Sequence, residues 1–185
     1  MPVPKENEHY TYTDYCEWAD NERWELVNGR PYQMAPGPSP THQNISGQLY
    51  RLLSDFLEGK PCKVFCAPLD VRLNADADDD TVVQPDLLIV CDQSKLDEKG
   101  CTGPPDMVIE VLSPSSQQRD RFIKFQIYRQ AGVREYWIVD PESQTIQAHV
   151  LHDGNYITYV FGNDNTVPVH ILDGCSINLS EVFPR

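Results

Sequence analysis

The stretch Pro105-Asp106-Met107-Val108-Ile109-Glu110-Val111-Leu112-Ser113-Pro114-Ser115 decides the fold. Its middle is apolar at nearly every position, as in a central strand covered on both faces. A second run of the same kind is Val82-Val83-Gln84-Pro85-Asp86-Leu87-Leu88-Ile89-Val90-Cys91, read as one strand over Val82 to Cys91. Each run carries one carboxylate, Glu110 and Asp86. An ionised carboxylate inside such a strand is costly unless it is paired, protonated or bound to a cation.

Working outward, Thr13 caps a short helix over Asp14 to Ala19. Trp24 to Val27, Asn28-Gly29 and Arg30 to Met34 read as a hairpin with a type I′ turn. Pro36-Gly37-Pro38-Ser39-Pro40 is a stiff break. Thr41 then caps a helix over His42 to Glu58, with Ile45, Leu49, Leu52, Leu53 and Phe56 on one apolar stripe and Gly59 at its end. Lys63 to Ala67 and Asp70 to Leu73 are short strands, and Asn74 to Thr81 is an acidic exposed loop. A helix over Gln117 to Ala131 stops at Gly132. Arg134 to Val139 is a strand. Thr145 to Leu151 and Asn155 to Val160 flank the hairpin turn Asp153-Gly154. Thr166 to Leu172 is a last strand. The order predicts an α/β (α+β) domain, a central mixed sheet flanked by helices with additional hairpins.

A chain of 185 residues with 40% hydrophobic residues suits a single domain over 1–185 with its own core. No apolar run approaches the ~20 residues of a membrane span. The polar N-terminus lacks a signal-peptide core, so a cytoplasmic location is expected. The six cysteines include no C-x-x-C pair, and most are expected to be free. A zinc site at Cys62 and Cys66 is weakly supported, because their spacing is loose and the histidines are remote. The net charge of -13 argues against a general nucleic-acid coat. The basic island Arg119, Arg121, Lys124, Arg129 and Arg134 stands out against it. Its bland reading is a solvated helix face.

Two carboxylates on adjacent strands have one chemical solution in common. Asp86 and Glu110 together suit a hard cation, Mg²⁺ or Mn²⁺, which prefers oxygen ligands. Such an ion polarises a phosphate and lowers the pKa of a bound water. The competing reading is structural, with Asp86 capping a strand and Glu110 paired to a buried arginine.

Five ordered blocks add to this reading. They are Trp24 to Gly29 with Met34 to His42, then Val82 to Asp86, then Pro105 to Ser115, then Arg119-Asp120 with Lys124 and Tyr128, then Gly132 to Pro141. Together they resemble the Uma-type family of restriction endonucleases, a branch of the PD-(D/E)XK nuclease superfamily. The resemblance spans about Glu17 to Tyr156. It implies a restriction-endonuclease-like fold and metal-dependent hydrolysis of DNA phosphodiesters. It makes Asp86 the PD aspartate and Glu110 the acidic residue of the (D/E)XK element.

The usual lysine slot, two residues after Glu110, holds Leu112. Leucine neither donates to a phosphate nor orients a water. In the family this lysine looks displaced to the next helix, where Lys124 stands. Lys124 is then expected to orient the attacking water or stabilise the transition-state charge, with Asp120 one turn away to steer it. Glu25, Asp70 and His42 are accessory candidates, His42 with a cap or turn role favoured over chemistry. Asp106 marks a strand entrance, and Tyr136 and Trp137 are core aromatics.

The expected function is a Mg²⁺-dependent (or Mn²⁺-dependent) endonuclease acting on DNA. The alternative is a weak or inactive nuclease-fold module for nucleic-acid binding or assembly, motivated by the acidic balance and by Leu112. A phosphoesterase of nucleotides or RNA lacks any supporting Gly-rich loop or aromatic-basic motif. A homodimer is the arrangement that two-strand cleavage commonly uses, though no residue points to it directly.

Overall fold

The computed structural model describes residues 4–5, 8–18, 22–34 and 37–183. Its centre is a six-stranded mixed sheet. The strands are β3 (Lys63–Cys66), β6 (Leu87–Val90), β9 (Met107–Val111), β10 (Glu135–Asp140), β11 (Thr145–His152) and β12 (Asn155–Gly162). Their order across the sheet is β12-β11-β10-β9-β6-β3. β9 and β10 run parallel, and the other neighbours are antiparallel.

Alternation along β9 explains both layers. Met107, Ile109 and Val111 face one cluster, with Ile45, Leu49, Leu53 and Leu57 of helix α2 (Pro40–Leu57) and the C-terminal Ile177, Val182 and Phe183. Val108 and Leu112 face the other cluster, with Ile127 and Tyr128 of helix α3 (Phe125–Ala131). Glu110 shares parity with this second face, so its carboxylate lies between the sheet and α3. Leu112, in the empty lysine slot, is a packing residue there. Each fully buried leucine of α2 contributes about 2 kcal/mol by burial alone.

The second sheet holds β1 (Trp24–Val27), β2 (Arg30–Gln33), β4 (Val71–Arg72), β5 (Val82–Val83), β7 (Leu96–Asp97) and β8 (Gly100–Thr102). Asn28 and Gly29 both have positive φ, as a type I′ turn requires. The expected single strand Val82 to Cys91 is two strands in two sheets: β5 pairs with β1 and β4, and β6 pairs with β3 and β9. Pro85 has no N–H to extend a ladder. The chain crosses between the sheets over Gln84, Pro85 and Asp86, and this crossing delivers Asp86 to the cleft.

Other expectations are also adjusted. Ser39, not Thr41, caps α2, its hydroxyl accepting from His42 N at 3.2 Å. Pro40 fits the first helical turn, which shifts the start. Thr11, not Thr13, caps α1 (Tyr12–Tyr15), with Asp14 closing the capping box. The expected far end of that helix, Ala19, and Pro36 of the stiff break lie outside the described residues. The helix expected over Gln117 to Ala131 is present along that whole span, and its stretch Arg119–Lys124 is π-helical before α3. The final expected strand is a short hairpin, β13 (Thr166–Pro168) with β14 (Ser176–Asn178). The loop Asn74 to Thr81 is not simply exposed: Asp79 pairs with Arg72, and Asp80 and Thr81 are buried. Cys62 is bonded to Cys91 on the neighbouring strand, so it is not a zinc ligand beside Cys66. Cys16, Cys66, Cys101 and Cys175 are free. No helix among the described residues is long and apolar enough to cross a membrane.

His149 on β11 is buried among Phe125, Tyr136 and Tyr156. Its Nδ1 meets Thr158 Oγ1 at 2.8 Å, and its Nε2 has no hydrogen-bond partner among the described residues. Burial, helped by Arg121, pulls the imidazole down from 6.5 to about 4. The unfolded chain therefore takes up this proton first as pH falls. Stability from the neutral ring is complete above 6.5 and is lost down to about 4, a total of about 3 kcal/mol at roughly 1.4 kcal/mol per pH unit. Urea unfolding between pH 7 and pH 4 should show a shallower acid loss for His149→Gln by about that amount.

Candidate active site

Lys124 stands at the end of the π-helical segment and is only 4% exposed. It is therefore not the solvated helical lysine of the bland reading. Its ammonium donates to Glu110 Oε1 at 2.8 Å, lies 2.9 Å from Glu25 Oε1 and 3.7 Å from Asp120 Oδ1. Tyr128 donates its hydroxyl to the same Glu110 Oε1 at 2.9 Å. Asp120, Lys124 and Tyr128 recur every four residues, so one helix face carries all three. A π-helical turn frequently accompanies such sites.

Glu25 comes from β1 in the second sheet. Its Oε1 accepts from Gln84 N at 3.0 Å, and its Oε2 accepts from Arg119 at 3.1 Å. Asp86 sits at the end of the crossing. Its Oδ2 accepts Val111 N at 2.8 Å and lies 3.1 Å from His42 Nε2. The antiparallel pairing of Leu87 with Ile109 puts Asp86 just beyond the ladder, opposite Glu110 and one residue from Val111, whose N–H its side chain accepts. There its carboxylate takes the place of the next strand carbonyl.

These groups share one cavity of about 710 Å³, whose wall includes Glu25, His42, Asp86, Glu110, Asp120 and Lys124. Around the ammonium, the carboxyl groups of Glu25, Asp86, Glu110 and Asp120 outnumber Lys124 and Arg119, and Arg23, Asp140 and Glu142 add further charges to the wall. The electrostatics follow from that surplus. Burial pushes Glu110 well above the ordinary carboxyl range, and Asp120, Asp86 and Glu25 reinforce this against Lys124. Burial likewise raises Asp120. Burial opposes ionisation of Glu25, but Lys124, the Gln84 N–H and Arg119 outweigh it and hold its carboxyl low. Burial would lower Lys124, but the surrounding carboxylates win and raise it well above its usual value. For His42, too, the Asp86 contact outweighs burial and raises the imidazole.

The donor set fits a hard divalent cation. Asp86 and Glu110 offer carboxylate oxygens into the same acidic cavity. Among the described residues, the bonds to each fall on one oxygen, Asp86 Oδ2 and Glu110 Oε1. No group of three or more His, Cys, Asp or Glu among the described residues forms a ready cage. Two carboxylates completed by water and substrate phosphate is the habit of Mg²⁺.

The remaining sequence candidates fall as follows. Asp70 is outside the lysine cluster: its Oδ1 accepts from Tyr15 at 3.0 Å and from Gln84 Nε2 at 2.8 Å, and burial raises its carboxyl. Asp106 stands at the entrance of β9, accepting from Cys91 N and Arg134. Tyr136 and Trp137 are fully buried core residues. The basic island is not an open phosphate-binding face. Arg119 pairs with Glu25, Arg121 with Asp140 and Arg134 with Asp106, while Arg129 reaches Gly154 O and Gln126. Sequence reading missed Arg119 as the partner of Glu25, since 94 residues separate them. It also gave Tyr128 no role, although the four-residue spacing from Asp120 was a usable signal.

The mixed sheet flanked by helices is the architecture of a nuclease-type fold. A crystal structure of "a putative nuclease belonging to DUF820" from Anabaena variabilis ATCC 29413 superposes with a TM-score of 0.76. The match covers 94% of this chain and 97% of that one at 20% identity, and so concerns the fold. The chain belongs to the Uma2 family, described as "Putative restriction endonuclease", whose model matches residues 11–180. Two proteins of Synechocystis sp. (strain ATCC 27184 / PCC 6803 / Kazusa) are similar to it. Uncharacterized protein slr1290 is 28% identical, covering 78% of this chain and 76% of its own length. Uncharacterized protein sll1609 is 27% identical, covering 64% and 67%.

Replacing Lys124 by Met strands Glu25 and Glu110 in the interior. Urea unfolding at pH 7 should register a loss of about 3–5 kcal/mol. Without the ammonium both carboxyls have raised pKa values in the folded chain. The penalty is therefore largest above those values and shrinks as pH falls. Tyr128→Phe should cost about 1.5–3 kcal/mol, the range for a hydrogen bond to a charged group.

Proposed function

We propose that the chain hydrolyses DNA phosphodiester bonds as a divalent-metal-dependent endonuclease, with Asp86 and Glu110 as the metal ligands and Lys124 beside them. The observation that carries this reading is the acidic surplus around a buried, fully ionised lysine in a cavity open to substrate. A bound Mg²⁺ or Mn²⁺ supplies Lewis-acid polarisation of the phosphate and a more acidic water.

The chain's own groups divide the remaining work. Asp86 is held by Val111 N–H and His42, so its position is fixed before any ligand arrives. Glu110 is fixed by Lys124 and Tyr128. Lys124 stays ionised at neutral pH and has no lone pair with which to take a proton. It acts by donating hydrogen bonds that orient the attacking water, and by offsetting charge that builds on the phosphate. Glu25 and Asp120 hold the ammonium in place, as positioning residues. His42 aligns Asp86 from the first turn of α2.

A second reading has a specific observation behind it. Glu110, Lys124, Glu25 and Arg119 already form a continuous run of ion pairs. Such a network also stabilises a nuclease-fold module without catalysis.

Plasmid nicking with Mn²⁺ or Mg²⁺ separates the two. Asp86→Ala and Glu110→Gln should each reduce metal-dependent cleavage at least ~100-fold, with the circular-dichroism spectrum unchanged. Cleavage that survives Asp86→Ala contradicts the assigned site, and no cleavage by the parent chain supports the module reading.

A further inference from the structure

The catalytic cavity does not end at Asp86. A second cavity, of about 580 Å³, continues from it, and Arg23, Pro68 and Gln84 belong to the walls of both. Its lining is of a different kind. Tyr15 and Trp24 are half-buried there, and both pack edge-on against the buried Trp18. Asp70 and Glu22 supply carboxylates, and Lys99 adds a cation to the same wall.

Gln84 organises the polar groups around it in this wall. Gln84 accepts from the Arg23 guanidinium through Oε1, at 2.6 Å from Nη2. Its Nε2 donates to Asp70 Oδ1 and to Tyr15. The orientation of the Gln84 amide is therefore set at both ends. Both side-chain bonds to Asp70 fall on Oδ1, so among the described residues Oδ2 is the acceptor left for a ligand.

Aromatic rings, two cations and the carboxylates of Asp70 and Glu22, joined to a phosphodiester-cleaving cavity, match one ligand chemistry. We propose that this second cavity is a subsite for one unpaired nucleobase bearing an amino group, next to the bond being cut. Stacking on the Tyr15 and Trp24 wall holds the base, and Asp70 accepts from its exocyclic amine. Arg23 and Lys99 sit beside the adjoining phosphates. The inference rests on the nuclease reading of the neighbouring cavity.

The charge balance strengthens it. The chain carries -13, and most of its basic island is spent on internal ion pairs. Phosphate attraction alone is then a weak source of affinity. Base stacking is insensitive to that deficit. A base inside a duplex is stacked and paired and cannot enter such a cavity. The substrate strand at this point is single-stranded or splayed.

Fluorescence anisotropy of labelled ten-nucleotide DNAs on the full chain, with Ca²⁺ replacing Mg²⁺, tests this. Oligo(dC) should bind about 10-fold or more tightly than a duplex of equal length, and about 5-fold or more tightly than oligo(dT), which has no amino group. Trp24→Leu should remove the advantage over duplex. Asp70→Asn should remove the advantage of oligo(dC) over oligo(dT) while the chain still binds both. It also serves as the independent variant if Trp24→Leu does not fold. Equal affinity for single strand, duplex, oligo(dC) and oligo(dT) overturns this subsite and leaves the nuclease reading standing. Absence of binding to every DNA, with no plasmid cleavage, overturns both.

Discussion

One buried ammonium holds the cleft together. Lys124 reaches from the helical layer to Glu110 on the central sheet and to Glu25 on the second sheet. It thus ties three parts of the molecule at a single atom. A charge in that position is tolerable only because carboxylates surround it. The same carboxylates outnumber it, and the surplus makes the cleft chemically unfinished. Structure and proposed chemistry share this cause: the groups that lock the two sheets to the helix are the groups that would receive a cation and a phosphate.

Sequence made the two carboxylates legible because burial and alternation speak about single strands. Glu110 inside Met107 to Leu112 could only be an anomaly that needed a partner. Leu112 showed that the partner was not two residues along, and the family resemblance pointed to Lys124. Sequence could not show the joining of Lys124 to Glu25, across nearly one hundred residues, or the pairing of Arg119 with the same carboxylate. It also misread Val82 to Cys91 as one strand. Hydrophobicity there is continuous, and only Pro85 marked the place where the chain leaves one sheet for the other. That crossing is what brings Asp86 to Val111. The basic island was likewise misleading, because a list of cations does not reveal which carboxylates lie opposite them.

Those pairings have a functional consequence. The arginines of the basic island that pair with Glu25, Asp140 and Asp106 serve the fold. In the proposed reaction, substrate contacts come from elsewhere in the cleft. The aromatic wall beyond Gln84 adjoins the cleft, and it shares Gln84 of the crossing segment that carries Asp86.

The central claim is that the acidic surplus around Lys124 takes up a divalent cation through Asp86 and Glu110. Calorimetric titration of the parent chain with Mn²⁺ tests it without reference to any substrate. One ion should bind per chain, and binding should be lost in both Asp86→Ala and Glu110→Gln while their folding is preserved. No binding at millimolar Mn²⁺ to the folded parent, or unchanged binding in both variants, would contradict it.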